Sequence, residues 1–502
     1  MSNLSGYDSE AVGFDSISLT KRQETSSSTQ TTEFSEAGAA SQTNLSVSCG
    51  STATPEDLGA QDDVLREYPP PGLNEFLRKV VPTMLEQLDQ TDRELLCNSS
   101  DSEEEEMISS KLFQEITFSE QGMGGGDESA SVLDVAWSSA GNSLAVSIGK
   151  TQHEDWCTHN GLIKIYTIKL TVGDQLVHNL DISEKNCITV LEYHPSVAAL
   201  LAYGTTSGEV VLCNLRNPVE EMQLTSPTGC HGSKRVSGLQ WADPPLANTF
   251  LTMQINNTGK RRGASDQILI SSGSDGTLNV WQVNANLKIF ESVVSYAVNG
   301  SRNMAAVDIS CFDFVKAYPL RPSDDKVADD IFVVGTKCGK LYLCKIKATE
   351  RIDGNLLDPV YEVLEGHATC VLNVAFSGQK AGIFLSMSID SELRVYDVNQ
   401  SSPLKVLCLD APVSCMSWLP NNPCVVIVGL AKPEGQCLKV FNVSSGKSVP
   451  VDGLVGTGQS VTALAVKQSG ACRIAAGDLG GSVRIWELPT RRIRYTADDL
   501  EF

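Results

Sequence analysis

Long apolar stretches are missing from this chain of 502 residues. No run of 18 or more apolar residues occurs, so no membrane span is predicted. The N-terminus, MSNLSGYDSE, lacks the basic and apolar regions of a signal peptide. A basic stripe is missing too, because 61 acidic side chains outnumber 39 basic ones. Neither membrane insertion nor direct binding of nucleic acid is therefore expected.

Closely spaced cysteine pairs are also missing: the chain has 15 cysteines and no C-x-x-C motif. We interpret them as reduced side chains that pack as small apolar residues in an intracellular protein. Catalytic signatures are absent as well. The sequence has no H-E-x-x-H and no G-x-S-x-G motif, and Gly446-Lys447-Ser448 lacks the upstream glycine of a phosphate-binding loop. No enzyme activity is predicted.

The segment Thr151–Asn160 contains potential zinc ligands at every second position, namely His153, Asp155, Cys157 and His159. On one strand, same-face neighbours lie about 6.8 Å apart. That row is too long for one ion, since each ligand atom must lie about 2.0–2.3 Å from the metal. Only a folded-back loop could close such a site, and the spacing matches no standard pattern. We therefore predict no metal and no other cofactor.

Excess negative charge is concentrated at the N-terminus, where residues 1–130 hold 25 acidic and 7 basic side chains. Residues 1–66 are rich in Ser, Thr, Gly, Gln and acids and have few aromatic residues. Such a segment buries too little apolar surface to offset its ordering entropy. We expect residues 1–66 to form a disordered acidic arm.

Two short x-x-[ST]-Gln-Thr motifs occur in this arm, ending in Thr29-Gln30-Thr31 and Ser41-Gln42-Thr43. An extended peptide of this kind can add as a strand to the edge of a partner's sheet. Two weak strands that bind one dimeric partner reinforce each other through effective concentration. Chance Ser, Thr and Gln content is the alternative explanation for either copy alone.

Residues 67–95 contain an amphipathic helix pattern within Leu73–Leu88, which Pro82 interrupts. Its apolar positions are Leu73, Phe76, Leu77, Val80, Met84, Leu85 and Leu88. A helix this short is marginal by itself and must bury its apolar stripe. Docking to a partner chain and packing against the folded part of this chain both remain open.

The rest of the chain repeats a pattern best seen in Ser271–Val283, which combines a small-residue strand, a tight turn at Asp275-Gly276 and a strand ending in apolar–aromatic–x–apolar. Seven copies of that ending are spaced roughly 45 to 68 residues apart, with Cys twice in the aromatic place. They are Ile165–Ile168, Leu212–Leu215, Val280–Val283, Leu343–Ile346, Val395–Val398, Val440–Val443 and Ile485–Leu488. The period predicts an all-β fold, a seven-bladed WD-repeat β-propeller over residues 131–490, preceded by the largely disordered arm with its one helix.

Each blade is expected to open with a short strand, and residues 491–502 to form a C-terminal tail. The opening strands are Val132–Trp137, Ile188–Tyr193, Val236–Trp241, Val307–Phe312, Val371–Phe376, Val413–Trp418 and Val461–Val466. Two insertions, Thr151–Asn160 and Asn248–Asp266, lengthen blades 1 and 3. Residues 96–130 are an acidic linker in which Leu112–Phe118 is predicted to supply the outer strand of the last blade and close the ring. Arg492–Thr496 is the rival closing strand.

An acidic arm with tandem x-x-[ST]-Gln-Thr motifs, an amphipathic helix and a seven-bladed propeller together resemble the WD-repeat dynein intermediate chains. The supporting stretches are Val132–Trp156, with its H-x-D-W insertion, and Ala475–Leu488. They favour similarity to the smaller intermediate chains of cytoplasmic dynein 2, the intraflagellar transport motor. The Trp-Asp ending of WD repeats is degenerate, since only Tyr396-Asp397 and Trp486-Glu487 keep an acid.

This resemblance implies a non-catalytic subunit that acts in retrograde intraflagellar transport and cilium assembly. It implies a hub-type light chain on Thr29–Thr31 and Ser41–Thr43, a roadblock-type light chain on Leu73–Leu88, a heavy-chain tail on the propeller and a second intermediate chain beside the arm. The implied location is the cytoplasm and cytoskeleton, including the cilium and its base at the centrosome. The sequence departs from the family at Ser27, where a Lys is often found.

Other functions are compatible with the same pattern. A WD-repeat propeller also suits a substrate receptor of a ubiquitin ligase or a similar regulatory adaptor. An enzyme that uses the central channel would need convergent polar residues there. Within the dynein family, a chain of an axonemal or cytoplasmic transport motor is the remaining alternative.

Overall fold

The structure is a computed structural model, and it divides the chain into two compact units, Met1–Glu103 and Glu104–Phe502. In the first unit it describes Gly72 and a helix at residues 75–81. In the second it describes residues 108–118, 130–152, 157, 159–169, 174–258, 266–298, 307–316, 330–348, 350–353, 356–378, 380, 382–420, 422–433 and 435–493. None of the helices in these described ranges is long and apolar enough to cross a bilayer.

Seven of the eight sheets described in the second unit each contain four antiparallel blade strands, which confirms the predicted seven-bladed propeller. The first strand of each blade contacts the first strands of both neighbouring blades, so these strands form the inner ring around the channel. In order outward from the channel, blade 1 contains Ser131–Trp137, Ser143–Gly149, Gly161–Lys169 and Gln175–Glu184. Blade 2 contains Ile188–Tyr193, Leu200–Thr205, Val210–Asn214 and Gln223–Thr225. Blade 3 contains Val236–Trp241, Asp266–Gly273, Thr277–Asn284 and Phe290–Ala297.

The remaining four blades follow the same order. Blade 4 contains Ile309–Phe314, Ile331–Thr336, Leu341–Lys345 and Val360–Leu364. Blade 5 contains Val371–Phe376, Ile383–Ser388, Glu392–Asp397 and Lys405–Cys408. Blade 6 contains Val413–Trp418, Val425–Leu430, Leu438–Asn442 and Lys447–Val449. Blade 7 contains Val461–Val466, Arg473–Asp478 and Ser482–Glu487, with Lys111–Thr117 as its outermost strand. The first strands begin where they were predicted in five blades; blade 1 opens one residue earlier, at Ser131, and blade 4 opens two residues later, at Ile309.

The apolar–aromatic–x–apolar ending explains why each third strand holds its blade together. The residue in the aromatic place is at most 8% exposed in all seven copies, including the two that carry Cys213 and Cys344. The second strands are buried on both faces, as in Leu200–Thr205 and Ile331–Thr336. This double burial explains their continuous small or apolar composition. The core therefore consists of hydrophobic clusters between neighbouring blades.

The ring is closed by a strand from the N-terminal side of the propeller. Lys111–Thr117 pairs antiparallel with Ser482–Glu487, in the segment for which the outer strand of the last blade was predicted. Just before it, Ile108–Ser109 pairs in parallel with Val451–Asp452. Of the rival strand, Arg492–Thr496, the structure describes only Arg492, which ends a 3-10 turn, and Ile493. The last blade thus combines strands from both ends of the folded unit.

Two elaborations were not predicted. Residues 350–358 form a hairpin, Glu350–Asp353 with Leu356–Asp358, whose second strand pairs in parallel with the outermost strand of blade 3. The insertion of blade 3 contains a helix, Pro244–Thr258, which buries Phe250 against Phe314 with ring centroids 6.1 Å apart. A second 3-10 turn, Val219–Glu221, precedes the last strand of blade 2.

Candidate functional site

The helix at residues 75–81 presents apolar side chains to solvent. Its first turn follows Gly72, whose carbonyl accepts a hydrogen bond from the Phe76 amide at 3.0 Å. Phe76 is 59% exposed and Leu77 is 41% exposed, while Val80 is half-buried. The other members of the predicted stripe, Leu73, Met84, Leu85 and Leu88, lie outside the described residues. An exposed Phe-Leu pair is a surface that a partner could cover.

The two strand motifs, Thr29–Thr31 and Ser41–Thr43, also lie outside the described residues. Their assignment to light-chain binding stays a prediction, as do the boundaries of the disordered arm.

The outer edges of blades 4 and 5 both carry exposed apolar side chains. On blade 4, Tyr361 and Val363 alternate outward along Val360–Leu364, and Val363 is 53% exposed. On blade 5, Leu404 and Val406 do the same, and Val406 is 44% exposed. Edge strands of this kind can pair with or pack against another chain. We refer to these four side chains as the blade 4–5 edge.

A buried hydrogen-bond network in blade 3 has the composition of a Ser–His–Asp triad. His231 Nε2 lies 2.8 Å from Ser271 Oγ, and His231 Nδ1 lies 3.3 Å from Asp275. Trp281 Nε1 donates to the same Ser271 Oγ at 2.9 Å. Ser271 and His231 are fully buried inside the blade, so no substrate could reach this hydroxyl. The network therefore cross-links strands, and sequence reasoning did not find it because His231 lies 40 residues before Ser271.

Blade 5 repeats part of this arrangement. His367, in the dipeptide Gly366-His367, places Nε2 2.6 Å from the buried Ser386 hydroxyl. The Tyr396 hydroxyl donates instead to the Glu365 carbonyl at 2.6 Å. Burial, followed by the charge of Arg394, lowers the pKa of His367 to about 4. A neutral histidine held in this way stabilises the blade and is poorly placed as a general base.

Two carboxyl groups and one amide from the innermost strands line one side of the channel. Glu192, Gln240 and Asp313 occupy the next-to-last position of the first strand in blades 2, 3 and 4. Asp313 accepts hydrogen bonds from Gln240 Nε2 at 2.7 Å and from the Phe376 amide at 2.6 Å. It thereby joins blade 4 to both of its neighbours.

Asp134 joins blade 1 to blade 2 in the same way, since it accepts from the Leu191 amide at 2.7 Å. Burial raises the pKa of Asp134 to about 7, although the amides of Leu191 and Val135 lower it. Burial and the charge of Asp134 raise the pKa of Glu192 to about 8. Desolvation outweighs hydrogen bonding here, so these carboxyl groups hold protons near neutral pH. They act as links between blades.

The blade 1 insertion brings two of its four potential ligands together with a third residue from elsewhere. Cys157, His159 and Cys187 have ligand atoms that all lie within 4.8 Å of one another. His153 and Asp155 lie outside the described residues. Cys187 was not predicted, since it is 28 residues beyond His159 and shows no local spacing signal.

Comparison with known proteins identifies relatives of this chain. No protein-family model matches it. It is similar to two proteins named cytoplasmic dynein 2 intermediate chain 2, from Mus musculus and Homo sapiens. Each is 23% identical over 376 residues, which cover 72% of this chain and 65% or 66% of the relative, slightly less than two thirds of its length. The resemblance to dynein intermediate chains is thereby confirmed.

Proposed function

From the similarity of this chain to intermediate chains of cytoplasmic dynein 2, we propose that it is a non-catalytic intermediate chain of the dynein 2 motor. In this role it assembles light chains and a heavy chain for retrograde intraflagellar transport and cilium assembly. The observation that carries the proposal is the similarity over 72% of the chain, which includes most of the seven-bladed propeller. The buried His–Ser networks of blades 3 and 5 support a scaffold, because their hydroxyls are inaccessible.

The arm provides the light-chain sites in this proposal. Thr29–Thr31 and Ser41–Thr43 add as two strands to a dimeric hub-type light chain, and backbone hydrogen bonds supply the affinity. The helix then binds a roadblock-type light chain through Phe76, Leu77 and Val80, of which the first two are exposed. Binding both light chains beside a second intermediate chain raises effective concentration and reduces the entropy cost of assembly.

The propeller binds the tail of the heavy chain. The blade 4–5 edge is our candidate for this contact, because its exposed apolar side chains lie at the outer edges of two neighbouring blades. Through the heavy chain, the protein would be located in the cytoplasm, on microtubules and in the cilium and its base.

The test is affinity purification of the tagged full-length chain from ciliated cells, followed by mass spectrometry of the retained proteins. We expect hub-type and roadblock-type light chains together with a dynein heavy chain. Gln30→Ala combined with Gln42→Ala should remove only the hub-type chain, and Phe76→Asp with Leu77→Asp only the roadblock-type chain. Recovery of ubiquitin-ligase subunits without dynein subunits would instead support a substrate receptor.

A further inference from the structure

The blade 1 insertion lies against the start of blade 2 at a cluster of soft metal-ligating side chains. Cys157 Sγ accepts a hydrogen bond from the Cys187 amide at 3.2 Å and donates to the His159 carbonyl at 3.4 Å. Cys187 is fully buried, while Cys157 and His159 are half-buried. Two thiols and one imidazole thus converge from two segments that are far apart in the sequence.

The distances within the cluster are close to those of a tetrahedral zinc site. Zinc binds sulfur at about 2.3 Å and histidine nitrogen at about 2.0–2.1 Å, so neighbouring ligand atoms lie about 3.5–3.8 Å apart in a tetrahedron. The three ligand atoms here lie within 4.8 Å of one another, so small side-chain shifts would suffice. Cys157 and His159 belong to the alternating row of the insertion, and the third ligand, Cys187, comes from outside that row.

The charge balance of the cluster suits a divalent cation. Such a cation displaces the protons of two thiol ligands and is neutralised by the two thiolates that result.

We propose that Cys157, His159 and Cys187 bind one zinc ion, with water or another oxygen or nitrogen ligand in the fourth position. Thiolate and imidazole donors select zinc over magnesium or calcium. The ion would release two thiol protons and fasten the insertion to the seam between blades 1 and 2. Its role is structural, because it links Cys157 and His159 of the insertion to Cys187 at the start of blade 2.

The experiment uses the full-length protein, purified under reducing conditions and dialysed against a weak chelator. Elemental analysis should find about one zinc per chain, and replacement by cobalt should give the near-ultraviolet absorption of thiolate-bound Co²⁺. Cys157→Ser and Cys187→Ser should each reduce the bound metal at least tenfold. Matched controls are Cys370→Ser for the half-buried Cys157 and Cys213→Ser for the buried Cys187. Both controls should keep the metal.

Three results would overturn the proposal. The first is a folded wild-type chain that gives no thiolate–cobalt absorption after reconstitution, a result that needs no variant to fold. The second is a metal content equal in Cys157→Ser and Cys370→Ser. The third is a Cys157–Cys187 disulfide, identified by a linked peptide in the non-reduced protein. Added zinc should also raise the melting temperature of the metal-free wild type and leave that of Cys157→Ser unchanged.

Discussion

At the residue scale, Trp281 in the aromatic place of the blade 3 signature is fixed by polar bonds as well as by packing. Its indole N–H and His231 both use the Ser271 hydroxyl, and Ser271 is fully buried. The same His231 also reaches Thr277 at 3.1 Å. Although burial would raise it, hydrogen bonds from His231 and Thr277 lower the pKa of Asp275. One serine therefore satisfies two buried polar groups.

Removing that hydroxyl should destabilise the propeller. We expect Ser271→Ala to cost about 2–4 kcal/mol in the free energy of unfolding, because it leaves two buried polar atoms without a partner. Denaturant unfolding followed by tryptophan fluorescence measures the change. The control is Ser272→Ala next to it, which is equally buried but bonds only Ser237 at 2.9 Å. Equal losses for the two variants would contradict the special role of Ser271.

The acids along the channel make stability depend on pH. Glu192 has a folded-state pKa of about 8, compared with 4.5 ordinarily. Between these values the folded protein binds a proton that the unfolded chain has lost, so stability is full below the lower value and falls as pH rises towards the upper one. Glu192→Gln copies the protonated form and should flatten this decline.

We expect the melting temperature of Glu192→Gln to exceed that of the wild type by about 2 °C or more at pH 8.5, and to approach it at pH 5. Differential scanning calorimetry across this range measures the difference. Glu220→Gln, on an exposed turn of the same blade, should follow the wild type at every pH. If the melting temperatures of Glu192→Gln and the wild type differ by the same amount at every pH, protonation of Glu192 is not coupled to folding.

At the element scale, the closing strand Lys111–Thr117 joins the last blade to the first. Gln114 exchanges two hydrogen bonds of 2.9 Å with the backbone of Leu176, on the outermost strand of blade 1. Glu115 pairs with Arg484 at 3.0 Å on the neighbouring strand. Ile116 is buried in the cluster between blades 7 and 1. This strand contributes to two blades at once.

Ile116→Ala should therefore lower the free energy of unfolding by about 2–4 kcal/mol, since it leaves a cavity at the closing seam. Leu112→Ala, on the same strand but 47% exposed, should change it by less than about 0.5 kcal/mol. Chemical denaturation of the full chain measures both variants. A small effect of Ile116→Ala would show that packing of this side chain contributes little to closing the ring.

Most of the blade architecture was predictable from the sequence, because each blade repeats one buried pattern on its third strand. The helix Pro244–Thr258 was missed although Leu246, Phe250 and Leu251 have helical spacing. The prediction for this region was only an insertion, Asn248–Asp266, with no helix assigned to it. The hairpin at residues 350–358 could not be foreseen, since only tertiary contact with blade 3 stabilises its short strands.

At the scale of the whole molecule, the candidate functional residues fall into two groups. A short stretch of sequence is enough to predict the first group, whereas the second is recognised only in the folded structure. Arm and helix motifs are local patterns, so the sequence is sufficient to propose them. The candidate zinc ligand Cys187 and the blade 4–5 edge depend on folding that brings distant segments together. Tyr361 and Val363 are exposed because every second side chain of this outermost strand points away from the blade. The sequence alone does not show which of the two alternating sets of side chains points outward.

The blade 4–5 edge should bind the heavy chain independently of the light chains. Val363→Asp combined with Val406→Asp places two charges in an apolar contact, so we expect heavy-chain recovery from ciliated cells to fall at least about tenfold. Light-chain recovery should not change, because those sites lie in residues 1–88. Val219→Asp, at a position 74% exposed on blade 2, is the control for a charge on a distant part of the propeller rim. Substitutions of exposed residues that leave the melting temperature unchanged report only on binding. If the double variant melts like the wild type and still retains the heavy chain, the contact lies on another part of the propeller.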